Sequence, residues 1–286
     1  MNTGILETEI NIRFPEWKIK ALTFSYDDGV LEDERLVDLF NQYCVKGTFN
    51  IISGRIGVGK SKKEHAKLDA DAVSSIYTGG GHEIAMHTLT HPFLNKMDSL
   101  AISYEVMQDR INLEKLTGGI VRGFAYPYGI YNDDIVNVLE SLGVLYARTT
   151  IPTGTFFLPD DFMRLNPTCH HYDKKLMEYA EKFVSTSEDE LERRDPMLFY
   201  VWGHSYEFED SGKWHVIENF LKTVSRNDSV WYATNIEICE YIKCFKQLVF
   251  NVERTRVYNP TNQKIYFEHR GKKYSVESGQ TVELSY

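Results

Sequence analysis

The chain has 286 residues and a net charge of −9, from 32 basic and 41 acidic side chains. An acidic chain repels a phosphate backbone, and no block of Lys or Arg suits an anionic membrane surface, so neither nucleic acid nor membrane is an expected partner. A hydrophobic share of 42% can build a full core at this length, and no run of 18 apolar residues offers a transmembrane helix. The four cysteines (Cys44, Cys169, Cys239 and Cys244) lack CxxC spacing and read as reduced, packed thiols. The first residues, MNTGILETEINIRFPEW, have neither the basic start nor the apolar stretch of a signal peptide, so a cytoplasmic setting is expected.

KALTFSY (20–26) reads as a buried strand. Residues 32–43 follow as a helix, with Leu36, Val37, Leu39 and Phe40 on its apolar face. GTFNII (47–52) is a second strand. Residues 53–68 are polar and Gly-rich, a loop over one end of the fold; their GxGK fragment lacks the spacing of a P-loop. A short helix at 69–78, strand three at HEIAMH (82–87) and a longer helix at 101–116 come next. VRGFAYP (121–127) is strand four, closed by Pro127. Asn132 caps a helix that runs to Leu142 and ends at Gly143. VLYAR (144–148) is strand five, 173–184 a helix, MLFYVWG (197–203) strand six, 214–224 a helix, VWYAT (230–234) strand seven and 236–248 the last helix.

This alternation makes a parallel sheet with helices outside, either open or closed into a barrel. From residue 249 the pattern changes to apolar–polar alternation around Asn-Pro and Gly turns. It reads as a small antiparallel β unit over 249–286, too short to hold much core alone and docked on the unit formed by 1–248.

In folds of this class ligands sit at the C-terminal ends of the strands. There the sequence places Tyr26-Asp27-Asp28-Gly29, His87 to His91, Tyr126-Pro127-Tyr128-Gly129 and Gly203-His204. Each piece alone has a bland reading. Asp-Asp-Gly and Tyr-Pro-Tyr-Gly are turn sequences. His-x-x-x-His at helical spacing would put both rings on one face, yet nine histidines produce such a pair by chance about a quarter of the time. Together the pieces fit one scheme. Two histidine nitrogens and one aspartate oxygen can hold a divalent ion with positions left open. A second carboxylate can take a proton from water, a histidine can protonate a leaving group, and a backbone N–H at a tight turn can stabilise an oxyanion.

Over about residues 18–246 the chain resembles the polysaccharide deacetylases of carbohydrate esterase family 4. The family's T-F-D-D-G appears as Thr23-Phe24-Ser25-Tyr26-Asp27-Asp28-Gly29, with two extra residues before the acids. H-[ST]-x-x-H is matched in full by His87-Thr88-Leu89-Thr90-His91. R-P-P-Y-G corresponds to Ala125-Tyr126-Pro127-Tyr128-Gly129, and the strand leading to a histidine to Leu198–His204. The resemblance implies a distorted (β/α)7 barrel and a metal-dependent hydrolase that removes N- or O-acetyl groups from a sugar or oligosaccharide. It implies Asp27 as general base, Asp28, His87 and His91 as ligands of zinc (cobalt or nickel in relatives), and His204 as general acid. Tyr128, through its backbone N–H, and Tyr126 fall on the oxyanion and substrate side.

Two departures stand out. Ala125 replaces the family arginine that orients the base; Arg148 is the leading substitute, with Arg122 and Arg164 as the others. The Asp-Trp element of the fourth motif is not recognisable. His170-His171 is read either as an exposed loop or, through His171, as a substrate contact. The alternatives are an acetyl-xylan-type esterase, another C–N amide hydrolase, or a carbohydrate-binding protein on a decayed scaffold.

Overall fold

A computed structural model describes residues 10–61, 64–191 and 195–285. The first half runs β1 (Ile10–Arg13), β2 (Lys20–Asp27), α1 (Asp33–Gln42), β3 (Thr48–Ile51), α2 (Ala70–Gly79), β4 (Glu83–Met86), α3 (Ser99–Thr117), β5 (Gly123–Ala125), α4 (Asp133–Ser141) and β6 (Tyr146–Arg148). The second runs β7 (Cys169–His170), α5 (Leu176–Ser185), β8 (Met197–Gly203), α6 (Tyr206–Ser211), α7 (Trp214–Val224), β9 (Val230–Tyr232) and α8 (Asn235–Lys246). Five short strands close the chain: β10 (Val249–Phe250), β11 (Arg256–Tyr258), β12 (Ile265–His269), β13 (Lys272–Val276) and β14 (Thr281–Glu283).

β2 is buried at every position, as expected of a central parallel strand covered on both faces. It organises the sheet, whose order is β6-β5-β4-β3-β2-β8-β7. β8 pairs along one edge of β2. The other edge is shared: β9 takes Lys20–Leu22 and β3 takes Ser25–Asp27. The ring closes through a non-strand segment. Leu165 exchanges backbone hydrogen bonds with Ala147 and Thr149 beside β6, and Thr168 donates to Tyr200 of β8. Pro167 lies between them and has no N–H for a regular ladder, so this seam is where the barrel is distorted.

The parallel barrel with outer helices agrees with the sequence reading. Each of the seven expected strands is present, and β7 is an addition; two residues carry no periodic signal. Asn132 accepts from the Ile135 N–H, as a cap should, and Gly143 follows α4 in the left-handed conformation. Among the described residues no helix is long and apolar enough to cross a membrane.

The five strands after α8, joined by β1 from the start of the barrel half, form two three-stranded antiparallel sheets, one ordered β10-β11-β14 and the other β1-β12-β13. β1 therefore pairs with residues 265–269. Ile12, Phe14, Val257, Ile265 and Phe267 share an apolar cluster with Ile238, Tyr241 and Ile242 of α8. Arg13, fully buried there, donates to Glu268 at 2.7 Å.

Candidate functional site

Strand alternation sends Thr23, Ser25 and Asp27 to the face of β2 opposite Phe24 and Tyr26. These three polar residues are buried, and each has found a partner. Thr23 donates to Asn235 at 2.9 Å, and Asn50 Nδ2 donates to Ser25 Oγ and Asp27 Oδ1, both at 2.8 Å. Arg148, from the end of β6 and 0% exposed, donates to both Asp27 oxygens while its guanidinium lies 4.7 Å over the Trp202 ring. Burial alone would raise the Asp27 carboxyl. Arg148, then His87 and His204, bring it down to about 2, so it is a carboxylate across the neutral range.

Asp28 follows in the left-handed region at φ 85° and Gly29 at φ 64°, which ends the strand abruptly. Aspartate tolerates that conformation and glycine favours it. A Cβ on Gly29 would also meet Ile51 Cδ1 at 3.0 Å. Asp28 Oδ2 lies 3.4 Å from Lys67 Nζ, whereas Oδ1 is buried without a hydrogen-bond partner and lies 3.8 Å from His87 Nε2.

His87 stands just past β4. Its Nδ1 is 2.9 Å from the Ala125 carbonyl, which can only accept; Nδ1 therefore carries the hydrogen and Nε2 a free lone pair. The His87 backbone N–H donates to Asp109 of α3 at 3.0 Å. Residues 87–91 form a loop with Thr88 and His91 both left-handed, where helical spacing was the expectation. Glu105 fixes that loop by accepting from the Thr90 N–H and hydroxyl, each at 2.8 Å. The two histidine rings end 4.7 Å apart. Burial lowers both imidazoles, His91 to about 4, so both are neutral at pH 7.

His204, past β8, lies across Asp27 from His87: each Nε2 is 3.9 Å from Asp27 Oδ2. Its Nδ1 is 3.6 Å from Glu207 of α6. Burial works against a charge on His204, but Glu207, then Asp27 and Asp28, raise its pKa overall. Glu207 also has His170 Nε2 and His171 Nε2 at 3.1 Å from one oxygen. His170 Nδ1 accepts the Tyr172 N–H at 3.2 Å, so its Nε2 bears hydrogen and points it at the carboxylate. These contacts hold Glu207 well below the usual carboxylate range, against its burial.

The structure thus brings together Asp27, Asp28, His87, His91, Arg148 and His204. Tyr128 stands at the rim, 52% exposed and left-handed at φ 58°, with its ring stacked on Phe93 at 4.2 Å and 4.4 Å from His91. Two expected site residues are not at the surface of the cluster. Tyr126 is buried and donates its hydroxyl to the Met163 carbonyl at 2.8 Å, tying β5 to the barrel seam. His171 is 0% exposed, packed between Tyr26 and Phe208. Neither side chain is placed to touch a ligand, and His171 is not in an exposed loop either. Arg122 pairs with Glu240, and Arg164 with Asp161 and Asp133.

Sequence reasoning missed Asn50, Lys67, Glu105, Asp109 and Glu207. A signal existed for two of them. Ile102, Glu105, Val106, Asp109 and Leu113 share the buried stripe of α3, and an acid on an apolar stripe asks for a partner.

Asp28, His87 and His91 bring three ligand atoms within 4.8 Å of one another. The orphaned Asp28 oxygen and the free His87 lone pair fit a divalent ion. Fold and site together define a barrel with a cluster that could hold a metal ion, Asp28, His87 and His91, at the carboxyl ends of its strands. The family model for polysaccharide deacetylase matches residues 16–147, a stretch that holds the first three motifs; over it the resemblance to that family is borne out. A chitooligosaccharide deacetylase of Azorhizobium caulinodans is 35% identical over 127 residues, 43% of this chain and 55% of that protein. Its counterpart in Sinorhizobium fredii is 27% identical over 135 residues, 46% and 57%. The chain therefore spans little more than half the length of these relatives. A solved Mycobacterium smegmatis structure assigned to the polysaccharide deacetylases shares the fold, with a TM-score of 0.57 at 17% identity over 84% of this chain and 95% of that one.

Proposed function

We propose that this protein is a divalent-metal-dependent hydrolase that removes acetyl groups from a carbohydrate, N-acetyl on a sugar or oligosaccharide first and O-acetyl second. The observation that carries the reading is one carboxylate, Asp27, held by Arg148 and flanked at equal 3.9 Å distances by a ligand histidine and by His204. Asp28, His87 and His91 would hold the ion, zinc for choice and cobalt or nickel in its stead. Such an ion supplies Lewis acidity toward a carbonyl oxygen and toward water.

The residues divide the remaining work. Asp27, ionised at neutral pH, accepts a proton from the attacking water. The backbone N–H of Tyr128, in a left-handed turn at the rim, would stabilise the oxygen that gains charge. His204, whose carboxylate neighbours favour its protonated form, donates to the departing nitrogen or oxygen as the bond to the acetyl carbon breaks. Acetate and the free amine or alcohol are the products. Arg148 reaches Asp27 from the strand beside Ala125, which answers one of the two departures behind the binding-only alternative and supports the catalytic reading; the missing Asp-Trp element is the other.

The test is acetate release from N-acetylglucosamine oligomers and from acetylated xylan, using metal-stripped protein with and without added zinc or cobalt. Metal-dependent release supports the reading, and the better substrate separates amide from ester. Sugar binding without turnover at any metal loading would overturn it in favour of a binding protein.

A further inference from the structure

Lys67 has no place in the scheme so far, although it is among the most buried cations of the chain. Its side chain is 4% exposed, and its Nζ lies 3.4 Å from Asp28 Oδ2. A buried ammonium is costly unless paired, so its placement needs a reason. The backbone around it is fixed. The Lys67 N–H donates to the Val58 carbonyl at 2.8 Å, Leu68 donates to Gly29 at 3.0 Å, and Leu31 donates to Ala66 at 3.0 Å. Residues 66–68 are therefore zipped directly onto the turn that carries Asp28, and Lys67 cannot drift from it.

The two oxygens of Asp28 consequently differ. Oδ2 takes Lys67; Oδ1 has no hydrogen bond and faces His87. The adjacent acids are served by separate buried cations, Asp27 by Arg148 and Asp28 by Lys67.

We propose that Lys67 is a positioning residue of the metal centre, which occupies the outer oxygen of Asp28 so that the carboxylate offers the ion a single oxygen, Oδ1. Ammonium and ion then share one carboxylate from opposite sides. The lysine lowers the negative charge at the ion, which weakens binding and sharpens Lewis acidity. The proposal rests on the metal-site reading above.

The experiment uses cobalt(II) as probe, with metal-stripped wild type, Lys67→Met and Lys67→Arg. Two readouts are independent of turnover: the visible absorption of bound cobalt, and its affinity by chelator competition. Lys67→Met frees Oδ2 to join Oδ1. The coordination number rises, the visible bands lose intensity several-fold, and cobalt binds about tenfold or more tightly because the neighbouring positive charge is gone. Lys67→Arg keeps a cationic donor and the wild-type spectrum. A lysine that merely docks the loop predicts the opposite sign: looser binding, with an unchanged spectrum in what remains bound. That result, or identical spectra and affinities in all three proteins, overturns the proposal. If Lys67→Met does not fold, Lys67→Gln retains an N–H donor without the charge, and its affinity must still exceed that of wild type. Wild type that binds no cobalt would instead fail the metal-hydrolase reading itself.

Discussion

Asp27 and Asp28 are neighbours in the chain with opposite surroundings. Asp27 ends a strand in extended conformation, faces into the barrel, and has both oxygens claimed by Arg148, with Asn50 on one of them. Asp28 sits at φ 85° with one oxygen on Lys67 and the other without a hydrogen bond. A carboxylate saturated with donors is a held charge, suited to receive a proton at a fixed place. A carboxylate with one orphaned, buried oxygen is an incomplete coordination shell. One turn residue out of the strand separates the two roles.

The sharpest break in that comparison is a pair of variants. His91→Ala removes a proposed ligand and, on the reading above, should abolish both metal content and acetate release. Asp27→Asn should keep the metal and lose at least about a thousandfold in kcat, the upper range for a positioned base. Metal analysis alongside turnover checks both. Equal metal in His91→Ala and wild type would remove that histidine from the site, and an active Asp27→Asn would exchange the roles of the two acids.

Arg148→Ala comes next. It leaves Asp27 buried without its main cation, so the protein should lose about 3–5 kcal/mol of stability, the usual result of removing one partner of a buried pair. The sign with pH follows from the depressed Asp27 pKa. The pair stabilises wild type above the unfolded aspartate value near 4 and is lost as pH falls toward 2. Urea midpoints at pH 7 and pH 3 should therefore differ less in Arg148→Ala than in wild type. Turnover should fall about a hundredfold as the base loses its orientation. Normal activity would mean that the barrel holds Asp27 without help.

This arginine also marks how far the sequence could be read. The barrel was legible because buried parallel strands are continuous apolar runs, and His87 and His91 because their spacing is fixed within one loop. Arg148 was reachable only as the cation nearest the gap left by Ala125, since strand register places 125 beside 148. Lys67 was not reachable, since it lies in a loop with no period and its partner is 39 residues away. Glu207 lies in a short helix with no period: its link to His204 is local, but its contacts with His170 and His171 are distant in sequence. The pairing of β1 with β12 was hidden for the same reason: nothing local in INIR names a partner near residue 267. The spacing of His87 and His91 suggested rings on one face of a helix; the structure brings the rings together through a loop with two left-handed residues instead.

Glu207→Gln should act more gently. His204 must be protonated to donate, so kcat/KM is high below its pKa and falls as pH rises through it. Glu207 is the leading cause that lifts this pKa above the ordinary histidine value of about 6.5. Its neutralisation should move the basic limb of the kcat/KM profile to lower pH, so that the loss is larger on the alkaline side than on the acid side. An unmoved limb would show that Asp27 and Asp28 suffice, and would leave His170 and His171 holding a carboxylate of no consequence to the acid.

The smallest effect separates a backbone from the side chain it carries. The role given to Tyr128 belongs to its N–H, which any residue tolerating φ 58° retains; its ring, half exposed and stacked on Phe93, offers an apolar platform beside the ligands. Tyr128→Ala keeps the N–H and the left-handed turn, since alanine and tyrosine meet similar strain there. KM for an oligosaccharide should rise about three- to tenfold, the worth of one aromatic stacking contact, while kcat stays within about twofold. The opposite split, with kcat collapsed and KM steady, would mean that the ring is what holds the turn. The Phe93 stack would then join Lys67 and Arg148 among the groups proposed to act by positioning others.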